Sequence, residues 1–247
     1  MPTFTRDKIE IYYEEYGAGY PVLIFAPGGL RSAISWWHPA ADGTPRAWMD
    51  PTVALAGAFR VIAMDQRNAE RSRAPIRPTD GWKDYARDHI ALMDHLGHKR
   101  FHTMGGCIGS SYCLSLCDMV PDRISAAVLQ NPIGFADGNR GIFKNKEWAE
   151  AMLARDRDLT QATLDSFFDN MFGGDFTFNT TCDFVRSCRT PLLVMPGDDP
   201  PHPKAIGEEI AAIAPRVEVL RDWKGADKVA RVTPVVLDFL RRHTPKN

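Results

Sequence analysis

The chain lacks a long apolar run: none approaches the ~20 residues needed to cross a bilayer. Its N-terminal stretch, MPTFTRDKIEIYYEEYG, is charged where a secretory signal would be apolar. Together these absences lead to the expectation of a cytoplasmic protein. Charge of one sign is also lacking. Thirty Lys and Arg stand against 31 Asp and Glu, so no basic field draws in nucleic acid or an anionic membrane, and neither is expected as a partner. Cysteine is scarce, with five in 247 residues. An odd, scattered set in a chain long enough to bury a core without staples favours a reducing compartment. No C-x-x-C pair is present to hold zinc, so the thiols read as small core residues and no metal is expected. Neither G-x-G-x-x-G after the first strand nor G-x-x-x-x-G-K-[ST] occurs, and no cofactor is implied. Internal repeats and low-complexity segments are absent as well.

What is present is an average globular mixture, 44% hydrophobic and 25% charged, in a chain of single-domain size. Gly and Pro cut it into short segments of alternating kind. Ile9–Tyr16, Val22–Ala26, Phe59–Met64, Phe101–Met104, Ile124–Leu129, Pro191–Met195 and Val217–Leu220 read as strands, several of them apolar throughout and so buried on both faces. Tyr85–Leu96, Ile108–Met119 and Val232–Leu240 read as helices, the first with Gly97 as its stop. A long loop rich in Trp, Pro and Gly runs from Pro27 to Pro51. Strands alternating with helices predict an α/β fold: a mostly parallel central sheet with helices on both faces. Residues 132–190 break the alternation. They carry helix-like pieces at Glu147–Arg157 and Leu164–Met171 and are expected to form a short helical lid inserted in a single domain spanning 1–247.

The most informative residues are Gly105-Gly106-Cys107-Ile108-Gly109, between a strand and a helix. This is the pattern of a nucleophile elbow, with Cys where Ser is usual. A nucleophile on a sharp strand-to-helix turn sits in strained backbone, and the flanking glycines remove Cβ atoms that would clash there. The helix that follows aims its free N–H groups at the nucleophile, favouring a thiolate and then an oxyanion.

With that motif in that order of elements, the chain resembles the α/β-hydrolase superfamily over nearly its whole length. VLIFAPGGL (Val22–Leu30) resembles the family's strand and oxyanion loop. FRVIAMDQRNAERS resembles the next strand with its D-x-R-G-x-G-x-S loop, departing at Asn68 and Glu70, where glycines are usual. TPLLVMPGDDPPHP resembles the strand and loop that carry the triad acid. The resemblance implies Asp199 as that acid, with Asp198 its rival, and the backbone N–H groups of Gly29 and Ile108 as the oxyanion hole, Leu30 being a further donor. In nucleophile type the chain is similar to the dienelactone hydrolases, without a close match to one protein.

One departure is serious. The family's His follows the last strand, and here that stretch reads Leu220-Arg221-Asp222-Trp223-Lys224-Gly225. No His lies between His202 and His243, and a thiol without help is only a few per cent ionised at neutral pH. Three residues are candidates for the base: His202 on the acid loop, His38 in the long loop after Trp36-Trp37, and Glu70. The expectation is an esterase-like hydrolase acting through a Cys107 thioester on an ester, lactone, thioester or similar acyl bond, with Asp199 and His202 completing the site. Its partner would be a small-molecule acyl substrate, with the loop tryptophans available to line an apolar or aromatic pocket. Two other classes stay open: a hydrolase-like protein that binds a small ligand without turnover, and an acyltransferase or lyase on the same fold.

Overall fold

The computed structural model describes residues 2–246. Its eight strands among the described residues are β1 (Thr3–Arg6), β2 (Ile9–Tyr16), β3 (Pro21–Phe25), β4 (Arg60–Met64), β5 (Phe101–Gly106), β6 (Ile124–Gln130), β7 (Leu192–Met195) and β8 (Val217–Val219). The helices are α1 (Pro51–Ala54), α2 (Trp82–His95), α3 (Ile108–Met119), α4 (Arg140–Phe143), α5 (Lys146–Arg155), α6 (Gln161–Phe172), α7 (Cys182–Ser187), α8 (Lys204–Ile213) and α9 (Val229–His243). One sheet holds all the strands in the order β1-β2-β4-β3-β5-β6-β7-β8. β1, β2 and β4 pair antiparallel and every other neighbour is parallel. The α/β fold expected from the alternation of segments is the fold observed.

Period-two alternation assigns each strand residue to one of two layers. Leu23, Phe25, Ile62 and Met64 enter the core beneath α2 and α3, with Tyr85, Leu92, Tyr112 and Leu116. Val22, Ile24, Val61 and Ala63 enter the opposite core beneath α9, with Val236, Phe239 and Leu240. β3, β5 and β6 are buried over their whole length, as parallel strands covered on both faces must be. Residues 132–190, between β6 and β7, hold α4 to α7. Trp148, Phe167 and Phe168 of this segment share the α2–α3 core, and hydrogen bonds tie it to the rest: Trp82 Nε1 donates to Met171 O at 2.6 Å, and Asn170 Nδ2 of the segment donates to Pro78 O at 2.8 Å.

Five elements are additional to those expected: β1, the four-residue helices α1 and α4, α7 and α8. β1 is a four-residue edge strand, TFTR, half polar and too short to stand out. α7 has six residues and starts at a Thr181 side-chain cap rather than from apolar periodicity. α8 contains Gly207, a weak helix former. A Cβ there would lie 2.8 Å from Pro196 Cα, so glycine is required by the close packing of α8 on the loop after β7.

The strand order places β3 and β5 side by side while their following connections leave in opposite directions, to β4 and to β6. Such a reversal opens a crevice at the C-terminal ends of the two strands. Pro27-Gly28-Gly29 and Cys107 both lie at that crevice.

Candidate active site

Each side chain at the crevice is positioned by a local constraint. Cys107 joins β5 to α3 with φ 57° and ψ −122°, a conformation a non-glycine residue holds only when its surroundings enforce it. They do so from three sides. The Cys107 N–H donates to Gln130 O at 3.0 Å. The Ser110 hydroxyl donates to the same carbonyl at 2.9 Å and to Gly105 O at 3.0 Å. A Cβ on Gly105 would fall on the backbone of Gly109, and one on Gly109 would fall on the carbonyl of Phe25 in β3. Both glycines are therefore steric necessities of this turn. The Cys107 side chain keeps a partial opening to solvent.

After β3 the chain turns through Gly28 at φ 117° and Gly29 at φ 61° into a short 3-10 turn. The ring of Trp36 fills the space where a Gly28 side chain would go, its Nε1 3.0 Å from that Cβ position. The turn is braced from below by Asp65. This buried carboxylate accepts from the Ile34 N–H at 2.9 Å and from Arg71 through two nitrogens at 2.7 and 3.0 Å.

The acid loop follows β7. Asp199 and His202 close a tight turn across Pro200-Pro201, with the His202 N–H donating to Asp199 O at 2.9 Å. The imidazole Nδ1 of His202 pairs with the Asp199 carboxylate. A Cβ on Gly197 would strike the His202 side chain and lie 2.7 Å from Asn131 Oδ1, so that glycine lets the turn fold back over β6. The other ring nitrogen, Nε2, is buried without a well-aligned hydrogen-bond partner. It nevertheless lies within reach of the Cys107 sulfur and acts on it, a looseness common before substrate binds.

These neighbours set the charge state of the pair. Burial alone would push the Cys107 thiol up, but His202 and the backbone N–H groups of Gly28 and Ile108 outweigh it, and the thiol lies below its ordinary value. Burial likewise pushes the His202 imidazole down. The facing thiol and the Asp199 carboxylate outweigh that, and the imidazole lies above its ordinary value. The two shifts run in opposite directions, each group easing the charged form of the other.

Asp199 has a second partner. Lys224 Nζ lies 2.8 Å from its Oδ2 and 2.6 Å from Asp198 Oδ1. Burial pushes the Asp199 carboxyl up, yet Lys224 and His202 together hold it below its usual range. Lys224 stands in the segment after β8 where the family pattern has histidine, so the cation there meets the Asp199 carboxylate directly.

Of the residues singled out from sequence, the structure gathers Cys107, Asp199, His202 and Ile108. Asp198 is exposed and reaches the group only through Lys224. The backbone N–H groups that act on the sulfur are those of Gly28 and Ile108, and Gly29 follows Gly28 in the same turn. His38 is elsewhere, its Nδ1 2.8 Å from Asp50 Oδ2. Glu70 is exposed, paired with the Ser35 hydroxyl. Neither is among the groups acting on the thiol. The contributions of Gly197 and Lys224 were not legible from sequence. Glycine at 197 carries no motif, and the role of Lys224 depends on two loops meeting in space. Among the described residues no cluster of three or more His, Cys, Asp or Glu is arranged to hold a metal ion, and no helix is long and apolar enough to cross a membrane.

Comparison with known proteins agrees with this fold. The chain is 29% identical over 138 residues to RutD of Azorhizobium caulinodans, named as an inferred carbamate hydrolase, covering 56% of this chain and 47% of that protein. It is 27% identical over 124 residues to the 2-hydroxy-6-oxo-6-phenylhexa-2,4-dienoate hydrolase of Comamonas testosteroni, covering 50% and 40%. The chain thus spans somewhat less than half the length of the curated relatives it matches. Among solved structures, the enol-lactonase of Burkholderia xenovorans LB400 superposes with a TM-score of 0.67 at 22% identity, covering 97% of this chain and 100% of that one. At that identity the likeness speaks for the fold. Residues 21–223 match the family described as alpha/beta hydrolase fold, which takes in both the elbow and the acid loop: the chain belongs to the α/β-hydrolase fold family.

Proposed function

We propose that the protein is a hydrolase of acyl bonds (ester, lactone or thioester) that works through Cys107. In this reading His202 takes the thiol proton and Asp199 holds the imidazole in the tautomer and orientation that makes this possible. The thiolate attacks the substrate carbonyl carbon. Charge that develops on the carbonyl oxygen is met by the Ile108 N–H at the start of α3 and by the N–H groups of the Gly28-Gly29 turn. His202 then donates its proton to the departing alkoxide or thiolate, leaving a thioester on Cys107. Water, activated by the same imidazole, releases the acid product. The segment with α4 to α7 serves as the lid over the crevice, and no cofactor enters the cycle.

The observation that carries this reading is the seating of His202 between the Cys107 thiol and the Asp199 carboxylate. The loss of the family's usual His is the feature that favours a binding protein without turnover, and a relocated base removes that ground. The relatives' names, a carbamate hydrolase, a dienoate hydrolase and an enol-lactonase, are in keeping with attack at a carbonyl carbon.

The deciding measurement is the intact mass of the protein after brief exposure to activated acyl esters, wild type beside Cys107→Ala. An acyl adduct on the wild type alone, decaying as free acid appears, is the expected result. Turnover that survives Cys107→Ala would sink the proposal. Absence of any adduct, with the thiol shown to be reduced and reactive to iodoacetamide, would favour the ligand-binding reading.

A further inference from the structure

Two further cysteines lie far from Cys107 in the fold. Cys117 is near the end of α3, and Cys188 falls between α7 and β7. Their side chains hydrogen-bond one another. Both line a cavity of about 750 Å³ at the N-terminal ends of β6 and β7, the opposite edge of the sheet from the elbow. Each residue is nearly closed off, 2% and 4% exposed. Arg100, Arg189 and Arg216 stand around it against Asp118 and Asp122. The remaining cysteines differ. Cys113 is fully buried with its sulfur 3.2 Å from the Thr103 hydroxyl, and Cys182 opens α7 and is half-buried.

We propose that Cys117 and Cys188 form a second thiol site, at which hydrogen peroxide is reduced and the two sulfurs are joined in a disulfide. Both thiols line one cavity and each acts on the other, so the partner for the second step stands beside the first. The cavity they line is the route by which a small oxidant would reach them. The chemistry also assigns an order. Cys188 is the sulfur prepared as thiolate: the hydrogen bond from Cys117 holds it below the ordinary thiol value against the cost of burial, and the Thr190 N–H and hydroxyl help. The same hydrogen bond and burial push Cys117 up.

The Cys188 thiolate attacks one peroxide oxygen. An S–O bond forms, the O–O bond breaks, and the released hydroxide takes a proton to become water, leaving Cys188 as a sulfenic acid. The Cys117 sulfur then attacks the Cys188 sulfur. The S–S bond forms, the S–O bond breaks, and the oxygen leaves as a second water with the Cys117 proton. Two thiols are oxidised by two electrons and one peroxide is reduced by two.

The bond would join the two elements that carry the catalytic groups from behind. α3 begins at the residue after Cys107, and β7 runs directly into the loop of Asp199 and His202. The site therefore stands on its own chemistry and does not depend on which bond the crevice cleaves.

The test uses full-length Cys107→Ala protein, which removes the competing nucleophile while keeping the pair. After stoichiometric hydrogen peroxide, free thiols are blocked with N-ethylmaleimide and the protein is digested without reductant. The expected result is loss of two hydrogens in the intact mass, reversed by dithiothreitol, and one cross-linked peptide joining Cys117 to Cys188, with Cys113 and Cys182 outside it. In Cys117→Ser the reaction should stop at a Cys188 sulfenic acid trapped by dimedone, and in Cys188→Ser no cross-link should form. The cross-linked peptide in protein with the pair intact decides the matter even where a serine variant folds poorly. A pair that stays reduced while Cys182 is oxidised, or a cross-link that involves any other cysteine, overturns the proposal.

Discussion

The two halves of the crevice are built by different means. On the nucleophile half, backbone does the positioning. The Cys107 turn is held by Gly105 and Gly109, where any side chain would collide with main chain, and by bonds to Gln130 O. On the acid–base half, side chains do it: a short turn brings His202 onto Asp199, and Lys224 arrives from a separate loop to hold the carboxylate. A backbone-built half admits few sequences, whereas a side-chain network needs only the right groups to meet and can draw them from different loops. Under the proposed mechanism, that difference accounts for a chain that keeps the elbow spacing while its base comes from another loop.

The largest effect should come from breaking the side-chain half at its centre. Under the proposed mechanism, His202→Ala is expected to lower the acylation rate by about a thousandfold, within the range of a general base. The pH profile gives the sign. With His202 present, the thiol lies below its ordinary value, so alkylation of Cys107 rises with pH below the range of a free thiol. With His202 gone, burial remains and the imidazole does not, so the rise should move to higher pH. Iodoacetamide labelling of Cys107 across pH 5–10 measures it. An unmoved profile would mean that His202 does not act on the thiol.

Breaking the backbone half should act on the fold. A Cβ at Gly109 meets the Phe25 carbonyl in β3, and neither strand nor helix can yield without losing the core beneath them. Gly109→Ala is expected to cost about 3 kcal/mol of stability, as overpacking against main chain does. Gly141 in α4 has open space where its Cβ would go, and Gly141→Ala should be neutral or slightly stabilising. Urea denaturation of the two variants side by side checks the contrast. Equal midpoints would show that the elbow is looser than its geometry.

Lys224 offers a finer cut. Its contacts are partly exposed, so the pair with Asp199 contributes on the order of 1 kcal/mol, about fivefold in rate. Lys224→Met should lower kcat/KM by about that factor. It should also raise the pH at which His202 loses its proton, because the Asp199 charge is no longer shared with a cation. A merely structural role would change the rate and leave that limb where it was.

The same division explains what could be read in advance. Apolar runs such as Ile124–Gln130 and the glycines of the elbow declare themselves, because burial on two faces and steric exclusion leave few alternatives at each position. The Asp199–His202 spacing was visible as a pair, though its turn depends on Gly197 and on folding back over Asn131. The Lys224 contact was invisible, since it joins residues 25 apart through two loops whose approach no local pattern encodes. α8 was obscured for a related reason: Gly207 weakens its helical signal and is there to let it pack on Pro196.

The smallest expected effect sets two departures from the family pattern against each other. Asn68 and Glu70 stand where glycines are usual, and both backbones adopt positive φ, 64° and 36°. Asn68 is tolerated there and repaid by its side chain, whose Oδ1 accepts from the Ala74 N–H at 3.0 Å and from Arg155 of α5 at 2.5 Å. Its carbonyl accepts from Trp148 Nε1 at 3.3 Å. Asn68→Gly should therefore destabilise by about 1 kcal/mol and loosen α5 from the loop. The Glu70 side chain has an exposed bond with the Ser35 hydroxyl against the cost of its conformation, while its carbonyl accepts from Arg73 and would do so in a glycine too, so Glu70→Gly should stabilise by about 0.5 kcal/mol. Thermal melts of the two variants give opposite signs if side-chain contacts decide which departures persist. Shifts of the same sign would mean that backbone conformation alone governs this loop.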